Sequence, residues 1–583
     1  MLKTLAARIG VYRKEAILTP IFTMLEAAME MLMPVMMAKI IDEGIESGNI
    51  QNVYRYGAMM IGMAALALTL GILAGRLAAK ASTGFAANLR ADMFRNIQTF
   101  SFANIDRYST AGLVTRLTTD VTNLQNAFQM MTRMCIRAPM TMIFAIVMAV
   151  SVSGKMSLIF VAAMALLLII LLPVVIPATR NFRKVFKQYD ALNASVQENV
   201  AGIRVVKAFV REDFEKSKFR KAAEEMYRAF VGAETRMSVI SPVMMLAIYG
   251  CNMALSWFGA NLIVGSELTT GELSQLFSYV MNILLSLMML GMVIIMLTMS
   301  AAAAQRVAEV LNEKSDLVSP PDAQTHVADG SIDFHHVSFS YAADSGKPVL
   351  QNIDLHIRSG ETIGILGGTG SAKSSLVNLI PRLYDVTEGS VQVGGKDVRS
   401  YDLDALREEV SVVLQKNVLF SGTVLENLRW GNPEATEEEC REACRLACAD
   451  EFISQMPEGY NSRIERGGSN VSGGQKQRLC IARALLKRPK VLILDDSTSA
   501  VDTATDARIR QAFREYLPDT TKLIIAQRIA SVQDADRILM LEDGGILAFG
   551  THQELLAGNP VYQEIYENQT RGNDDFDKMG GED

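Results

Sequence analysis

The chain has 583 residues, more than one hydrophobic core usually serves, so at least two domains are expected. Hydrophobic residues make up 49% of the sequence and charged residues 21%, a balance that favours a membrane protein with an additional soluble part. The net charge is only -6 and both signs are interspersed along the chain, which gives no electrostatic reason to expect a nucleic-acid partner.

Six apolar stretches predict membrane-spanning helices, because most of them approach the roughly 20 residues that a helix needs to cross a bilayer. They cover residues 16–41, 54–77, 138–152, 156–176, 240–264 and 273–304. The third is short and counts as a span only if Arg133 and Arg137 lie at its cytosolic end and extend toward the interface. An all-α membrane domain is therefore predicted over residues 1–312.

Basic residues predict the orientation of these spans. Four lysines and arginines precede the first span, whereas the loops that follow the first, third and fifth spans carry little positive charge. Because basic residues favour the cytosolic side, both chain ends are predicted to be cytosolic. The basic N-terminal segment lacks an apolar core that ends in a cleavage site, so no removable signal peptide is expected.

The sequence changes character after the last span. Residues 313–330 are polar and contain two consecutive prolines, as expected of a linker. From 331 to 570, short β-rich runs alternate with helical segments, which predicts an α/β domain. The acidic residues 571–583 are predicted to be disordered.

A phosphate-binding loop is predicted near the start of the α/β domain. An apolar strand, ETIGIL, runs into a glycine-rich turn and then into an apolar helix, which is the context that such a loop requires. Backbone N–H groups receive the phosphates, Lys373 neutralises their charge and Ser374 can bind Mg²⁺. Ala372 replaces the last glycine of the pattern, and a positive φ there would cost about 1 kcal/mol. The candidate ATP-binding residues of this loop are Gly367, Gly368, Thr369, Gly370, Ser371, Ala372, Lys373, Ser374 and Ser375.

Two further motifs carry a family resemblance. The apolar strand 491–495 ends in Asp495, whose carboxylate suits the coordination of Mg²⁺. Between the loop and this strand lies the sequence Ser472-Gly473-Gly474-Gln475. In this position it resembles the signature of the ATP-binding cassette family, and six spans followed by one cassette resemble an exporter-type half-transporter. The resemblance covers the whole chain and implies ATP and Mg²⁺ as cofactors of a P-loop NTPase domain.

The resemblance also implies roles for residues outside these motifs. Tyr341 corresponds to the aromatic residue that stacks on adenine, and Gln415 to the glutamine that touches Mg²⁺ and senses the membrane domain. Asp502 ends a segment that resembles the D-loop of the family. In the membrane domain, residues 108–120 and 198–209 look like the cytosolic loops that bear the coupling helices.

Three positions depart from the family's pattern. The glutamate that normally polarises the attacking water is Asp496 here, which is shorter by about 1.5 Å. The switch histidine is replaced by Gln527, which cannot carry a positive charge. Upstream of the signature, the pair Glu465-Arg466 puts a cation where the family has an acid. Because the first two changes affect one step of phosphoryl transfer, we interpret them as specialisation toward weak hydrolysis at this chain's own site.

These departures predict a partner. In this family, the Walker motifs of one cassette and the signature of another enclose each nucleotide, so a chain with an intact signature and impaired catalytic residues is expected beside a different half-transporter chain. The resemblance to multidrug-type exporters implies outward movement of an amphipathic small molecule, drug, lipid or peptide by alternating access. Two alternatives remain open: an importer of metal chelates with the exporter fold, and an ATP-gated regulatory membrane protein.

Glu26 and Glu30 are two acidic residues within the first predicted span. They are one helical turn apart, so both carboxylates lie on the same face of the helix. Intramembrane acids usually face the bundle interior or an aqueous cavity, which predicts a cation-binding role on the substrate path. A solvated or salt-bridged pair near the outer interface explains the same residues equally well.

Overall fold

The computed structural model describes residues 1–341, 348–496 and 501–578. The chain forms two compact units, and the second takes in a short segment from the N-terminal half of the sequence. The first unit comprises Met1–Gln98 and Ser109–Glu313, and the second comprises Thr99–Tyr108 and Lys314–Asp583.

The first unit is built from long helices. The first eleven α-helices of the chain are α1 (Leu2–Ala7), α2 (Arg13–Lys39), α3 (Ile50–Gln98), α4 (Phe102–Tyr108), α5 (Thr110–Thr115), α6 (Val121–Val152), α7 (Gly154–Ala201), α8 (Ile203–Ala208), α9 (Glu212–Met237), α10 (Ile240–Val264) and α11 (Thr270–Asn312). All of them except α4 belong to the first unit. Helix α2 continues into a π-helical turn, Ile40–Glu46, and a second such turn, Arg116–Asp120, joins α5 to α6.

Helices long and apolar enough to cross a bilayer account for the predicted spans. Among the described residues, five stretches qualify: Gly10–Glu46, Ile50–Gln98, Thr110–Val152, Glu212–Val264 and Thr270–Val293. They correspond to five of the six predictions. The remaining span, predicted at 156–176, lies in α7, whose apolar stretch is described over Gly154–Leu167. The helix that contains the third predicted span is longer than that span, because α6 begins at Val121 and remains helical through Pro139.

The core of the first unit lies where α11 packs against α2, α6, α7 and α10. Leu276 and Ile283 of α11 are buried together with Leu255 of α10. The fully buried Tyr279 donates a hydrogen bond from its hydroxyl to the carbonyl oxygen of Met31 in α2, over 3.1 Å. This bond satisfies a polar group that would otherwise be costly to bury among apolar side chains.

In its described residues, the second unit is an α/β domain with three sheets. Its strands are β1 (Ile332–Phe339), β2 (Leu350–Ile357), β3 (Thr362–Leu366), β4 (Glu388–Val393), β5 (Lys396–Asp397), β6 (Val410–Val413), β7 (Gly422–Thr423), β8 (Arg463–Ile464), β9 (Val491–Asp495), β10 (Thr521–Ile525), β11 (Arg537–Glu542) and β12 (Gly545–Gly550). The central sheet has the order β12-β11-β3-β10-β9-β6, a second sheet the order β2-β1-β4-β5, and β7 pairs with β8. In the central sheet, β3, β6, β9, β10 and β11 run parallel and are buried on both faces, as parallel strands usually are.

Helices of the second unit surround these sheets. They are α12 (Lys373–Leu379), α13 (Leu403–Glu409), α14 (Val424–Leu428), α15 (Glu437–Leu446), α16 (Asp450–Ser454), α17 (Gly473–Leu486), α18 (Thr503–Tyr516), α19 (His552–Gly558) and α20 (Pro560–Lys578). Because β3, β10 and β9 are neighbours in that order, the segments that follow their carboxyl ends meet at one edge of the sheet. Residues 579–583 lie outside the described part of the chain, and the disorder expected of 571–583 stays a prediction.

Helix α4 is the part of the N-terminal half that packs within the second unit. The Tyr384 hydroxyl donates a 2.7 Å hydrogen bond to a carboxylate oxygen of Asp106, and the rings of Phe102 and Tyr384 lie 6.0 Å apart. The stretch 108–120, which resembles a coupling loop in sequence, belongs to the first unit from Ser109 onward. The coupling role expected of residues 108–120 stays a prediction.

Candidate functional site

The glycine-rich loop connects β3 to α12 at the edge where the parallel strands end. Gly370 has a φ of +87°, a left-handed conformation that glycine adopts without a steric penalty. The Lys373 ammonium group donates hydrogen bonds to the carbonyl oxygens of Gly367 (2.8 Å) and Gly368 (2.7 Å). The lysine thus lies against the loop backbone. From there its ammonium group can exchange these hydrogen bonds for hydrogen bonds to a negatively charged phosphate oxygen.

Ala372 adopts the strained backbone conformation, with a positive φ, that the sequence analysis considered. Its φ is +69° and its ψ is 20°, in the left-handed region that disfavours residues with a Cβ atom. The alanine side chain packs against the hydrophobic core that contains Ile365 and Leu376. The methyl group therefore contacts the core, and the strain of about 1 kcal/mol falls on the backbone of the phosphate loop.

Ser374 and Asp495, the residues predicted to bind Mg²⁺, lie in contact with each other. The Ser374 hydroxyl donates a 3.0 Å hydrogen bond to Asp495 Oδ1, at the end of β9. Burial raises the pKa of Asp495 and lowers the pKa of Lys373. A hydroxyl and a carboxylate oxygen are ligands that suit Mg²⁺, so this pair fits the ion. The third predicted ligand, Gln415, has an exposed side chain, and the described hydrogen bond at this residue is accepted by its carbonyl oxygen from Asn417 Nδ2.

The two departures at the catalytic positions lie next to each other in space. Asp496 directly follows β9, and Gln527 lies two residues beyond β10, the neighbouring strand. Gln527 Nε2 donates a 2.9 Å hydrogen bond to Asp496 Oδ2. The short carboxylate thus accepts a hydrogen bond from a neutral amide, at the position where the family has a longer carboxylate and an imidazole.

The predicted adenine-stacking residue lies in an aromatic cluster. Tyr341 is 50% exposed, and its hydroxyl is 2.8 Å from the hydroxyl of Ser375, the residue after Ser374. Its ring is perpendicular to that of Tyr384, with the centroids 5.1 Å apart. Sequence reasoning missed Tyr384, because its hydrogen-bond partner, Asp106, is 278 residues away along the chain.

The signature motif forms the N-terminus of helix α17. The Ser472 hydroxyl accepts a hydrogen bond from the backbone N–H of Gln475 (3.3 Å), and the Gln475 side-chain oxygen accepts one from the Ser472 N–H (2.9 Å). This reciprocal capping box fixes the first turn of the helix. Ser472 and Gly473 are exposed, so the positive end of the helix dipole faces outward.

The D-loop and the pair upstream of the signature are described in part. Asp502 is the N-cap of α18 and accepts a 2.9 Å hydrogen bond from the Thr505 N–H. The predicted D-loop covers residues 499–502, and its first two residues, 499 and 500, lie outside the described residues. Glu465 and Arg466 are both exposed, so the cation at this position is open to solvent or to another chain.

The membrane helices contain a cluster of ion pairs. Arg137 of α6 pairs with Glu26 Oε1 at 2.5 Å and with Glu30 Oε1 at 2.7 Å, both on α2. Glu26 is only 7% exposed and lies near the middle of α2, 13 residues (39 − 26) before the end of the helix at Lys39. The two glutamates are therefore salt-bridged, as one of the two alternatives expected. The pair lies near the middle of α2, however, and not near its end, where the outer interface was expected. The expectation that Arg137 extends toward the interface is wrong, because its guanidinium group is held inside the bundle.

Together, these observations define a class of protein: a polytopic helical membrane domain fused to an α/β nucleotide-binding domain. Residues 16–288 match the family model of the ABC transporter transmembrane region, and residues 350–499 match that of the ABC transporter. The chain is 36% identical to the uncharacterized ABC transporter ATP-binding protein YfiB of Bacillus subtilis over 549 residues, which are 94% of this chain and 95% of that protein. It is 35% identical to the uncharacterized ABC transporter ATP-binding protein Rv1273c of Mycobacterium tuberculosis, with 98% of each chain covered.

A third relative is the fatty acid ABC transporter ATP-binding/permease protein of Mycobacterium bovis, 33% identical over 82% of this chain and 75% of that protein. The chain belongs to the ABC transporter family. It is therefore a multi-pass membrane protein with an ATP-binding cassette, arranged as an exporter-type half-transporter, and a transport-coupled ATPase.

Proposed function

We propose that this chain is one subunit of a heterodimeric ABC exporter and that its own ATP site binds nucleotide but rarely hydrolyses it. The observation that carries this proposal is the hydrogen bond from Gln527 to Asp496. Where the family has a glutamate to polarise water and a histidine to contact the γ-phosphate, this site has a shorter acid paired with a neutral amide. A displacement of about 1 Å at such a carboxylate costs on the order of a hundredfold in rate.

The arrangement of the residues predicted to bind MgATP supports nucleotide binding at this site. Lys373 lies in the phosphate loop, Ser374 and Asp495 are 3.0 Å apart at the magnesium position, and Tyr341 offers a half-exposed ring for adenine. Binding without hydrolysis would hold the two cassettes together through many turnovers. Hydrolysis at the other site would then drive the membrane domain between its inward- and outward-facing states.

The signature of this chain serves the partner's site in this proposal. Ser472 and the first turn of α17 face outward and carry backbone N–H groups suited to a γ-phosphate. A partner chain with the catalytic glutamate and histidine would bring its nucleotide against this turn. One competent site and one impaired site would then share the same dimer.

The transported compound is proposed to be amphipathic and to move outward. The exporter-type arrangement supports this direction, and a relative of this chain is named a fatty acid transporter. With six spans, both chain ends would lie on one side of the membrane, and because ATP is cytosolic, that side would be the cytosol. The cassette would thus work on the inner face of a bacterial cell membrane.

The purified chain without a partner is expected to hydrolyse ATP slowly, because a homodimer would carry two impaired sites. The double variant Asp496→Glu with Gln527→His is expected to raise turnover by at least about tenfold, and Ala372→Gly added to it should raise turnover further by relaxing the phosphate loop. The matched control changes Asp519→Glu with Gln533→His, at exposed positions. Vigorous, substrate-stimulated hydrolysis by the unmodified homodimer would contradict the proposal.

A further inference from the structure

The last described helix of the chain is anchored in the core of the α/β domain. Tyr562 of α20 is fully buried, and its hydroxyl lies 2.6 Å from a ring nitrogen of His552 in α19. Ile565, on the next turn, packs against the same core. Gln569 follows Tyr562 by seven residues (569 − 562), about two helical turns, so its position is determined by this anchored surface of the helix.

Gln569 bridges two backbone groups of the switch loop. Its side-chain oxygen accepts a 2.8 Å hydrogen bond from the Ile529 N–H, and its side-chain nitrogen donates a 3.1 Å hydrogen bond to the Gln527 carbonyl oxygen. Ile529 is itself buried, which fixes one end of the bridged segment. A single amide thus holds the backbone on both sides of Arg528.

This bridge continues to the nucleotide site. The backbone that Gln569 holds carries the Gln527 side chain, which donates to Asp496 Oδ2 over 2.9 Å. Three residues from separate parts of the sequence therefore form one hydrogen-bonded path from the C-terminal helix to the end of β9. Neither motif nor periodicity predicts this, since Gln569 is 42 residues from Gln527 and lies in no recognised motif.

We propose that Gln569 is a positioning residue that sets the direction of Gln527 and thereby the preference of this site for ATP over ADP. A neutral amide at the switch position can recognise a γ-phosphate only through a directed hydrogen bond, because it carries no charge that attracts phosphate from a distance. The direction of that bond depends on the loop backbone, which Gln569 fixes. This inference rests on the proposed contact between Gln527 and the γ-phosphate.

The test compares two identical substitutions in one helix. Gln569→Met keeps the length and volume of the side chain but removes both hydrogen bonds to the switch loop. Gln563→Met removes a side-chain hydrogen bond to the Leu556 carbonyl oxygen, away from the loop. The affinities of the full-length chain for MgATP and MgADP are measured by displacement of a fluorescent nucleotide, and the ratio of the two dissociation constants is the readout.

Gln569→Met is expected to reduce the preference for ATP over ADP by about two- to tenfold, the equivalent of one directed hydrogen bond, with ADP affinity unchanged. Gln563→Met should leave the ratio as it is. If the preference for ATP over ADP is unchanged in Gln569→Met but reduced in Gln527→Ala, the inference about Gln569 is overturned, whereas the proposed contact of Gln527 with the γ-phosphate is supported. If Gln527→Ala also leaves the ratio unchanged, the proposed γ-phosphate contact itself fails. An equal loss of ATP and ADP affinity in Gln569→Met would indicate a structural role and also contradict the inference.

Discussion

Replacing Ser472 with arginine is expected to abolish transport by the heterodimer and to reduce its ATP hydrolysis by about a hundredfold or more. The arginine side chain would occupy the space in front of α17 and break the capping box with Gln475, so the partner's γ-phosphate would lose the donors that meet it. The measurement is substrate uptake into inside-out vesicles, together with steady-state ATPase activity. This chain's own phosphate loop stays intact in the variant.

The matched control is Ser454→Arg, the same substitution at the exposed end of helix α16. It is expected to keep transport near that of the unmodified heterodimer, because surface substitutions away from special features usually change stability by less than about 0.5 kcal/mol. Transport that survives in Ser472→Arg would show that the partner's competent site does not use this signature.

The second large effect is expected in the membrane domain. Arg137→Met should destabilise the first unit by about 3–5 kcal/mol, because it removes the cation that two carboxylates share and leaves the buried Glu26 without a partner. Methionine has a similar length, so packing changes little. The measurement is the free energy of unfolding in lipid-containing micelles, obtained by denaturant titration.

Two comparisons separate the charge effect from a general defect. Arg76→Met removes an exposed arginine from the neighbouring helix α3 and should change stability by less than about 0.5 kcal/mol. Adding Glu26→Gln and Glu30→Gln to Arg137→Met should restore most of the loss, since neutral amides carry a smaller burial penalty than carboxylates. Equal stabilities for Arg137→Met and Arg76→Met would contradict the structural role of this ion-pair cluster.

The sequence predicted those parts of the molecule that depend on neighbours along the chain. Span positions follow from apolar length, and the phosphate loop follows from glycines between a buried strand and a helix. Strand 491–495 is described with the predicted bounds, and it ends at Asp495 beside Ser374. In each case, the local pattern contains the physical cause of the structure.

The rest depends on contacts between distant segments. Arg137 meets Glu26 across 111 residues, and Tyr384 meets Asp106 across 278, so neither pair leaves a periodic signal. The sign of the φ angle at Ala372 could not be predicted either, because alanine can adopt a negative φ without strain or a positive φ with strain. Tertiary packing determines these features, and they cannot be predicted from local patterns in a single sequence.

The measurement that tests the central claim most directly is the nucleotide bound to each chain of the purified heterodimer. The complex is cycled with radiolabelled, photoreactive ATP, trapped with vanadate and crosslinked, and the two chains are then separated. We predict unhydrolysed ATP on this chain, held by Lys373 and the Ser374–Asp495 pair, and trapped ADP on the partner. An empty site on this chain at millimolar ATP, or trapped ADP on it, would contradict the account of a bound and slowly hydrolysed nucleotide.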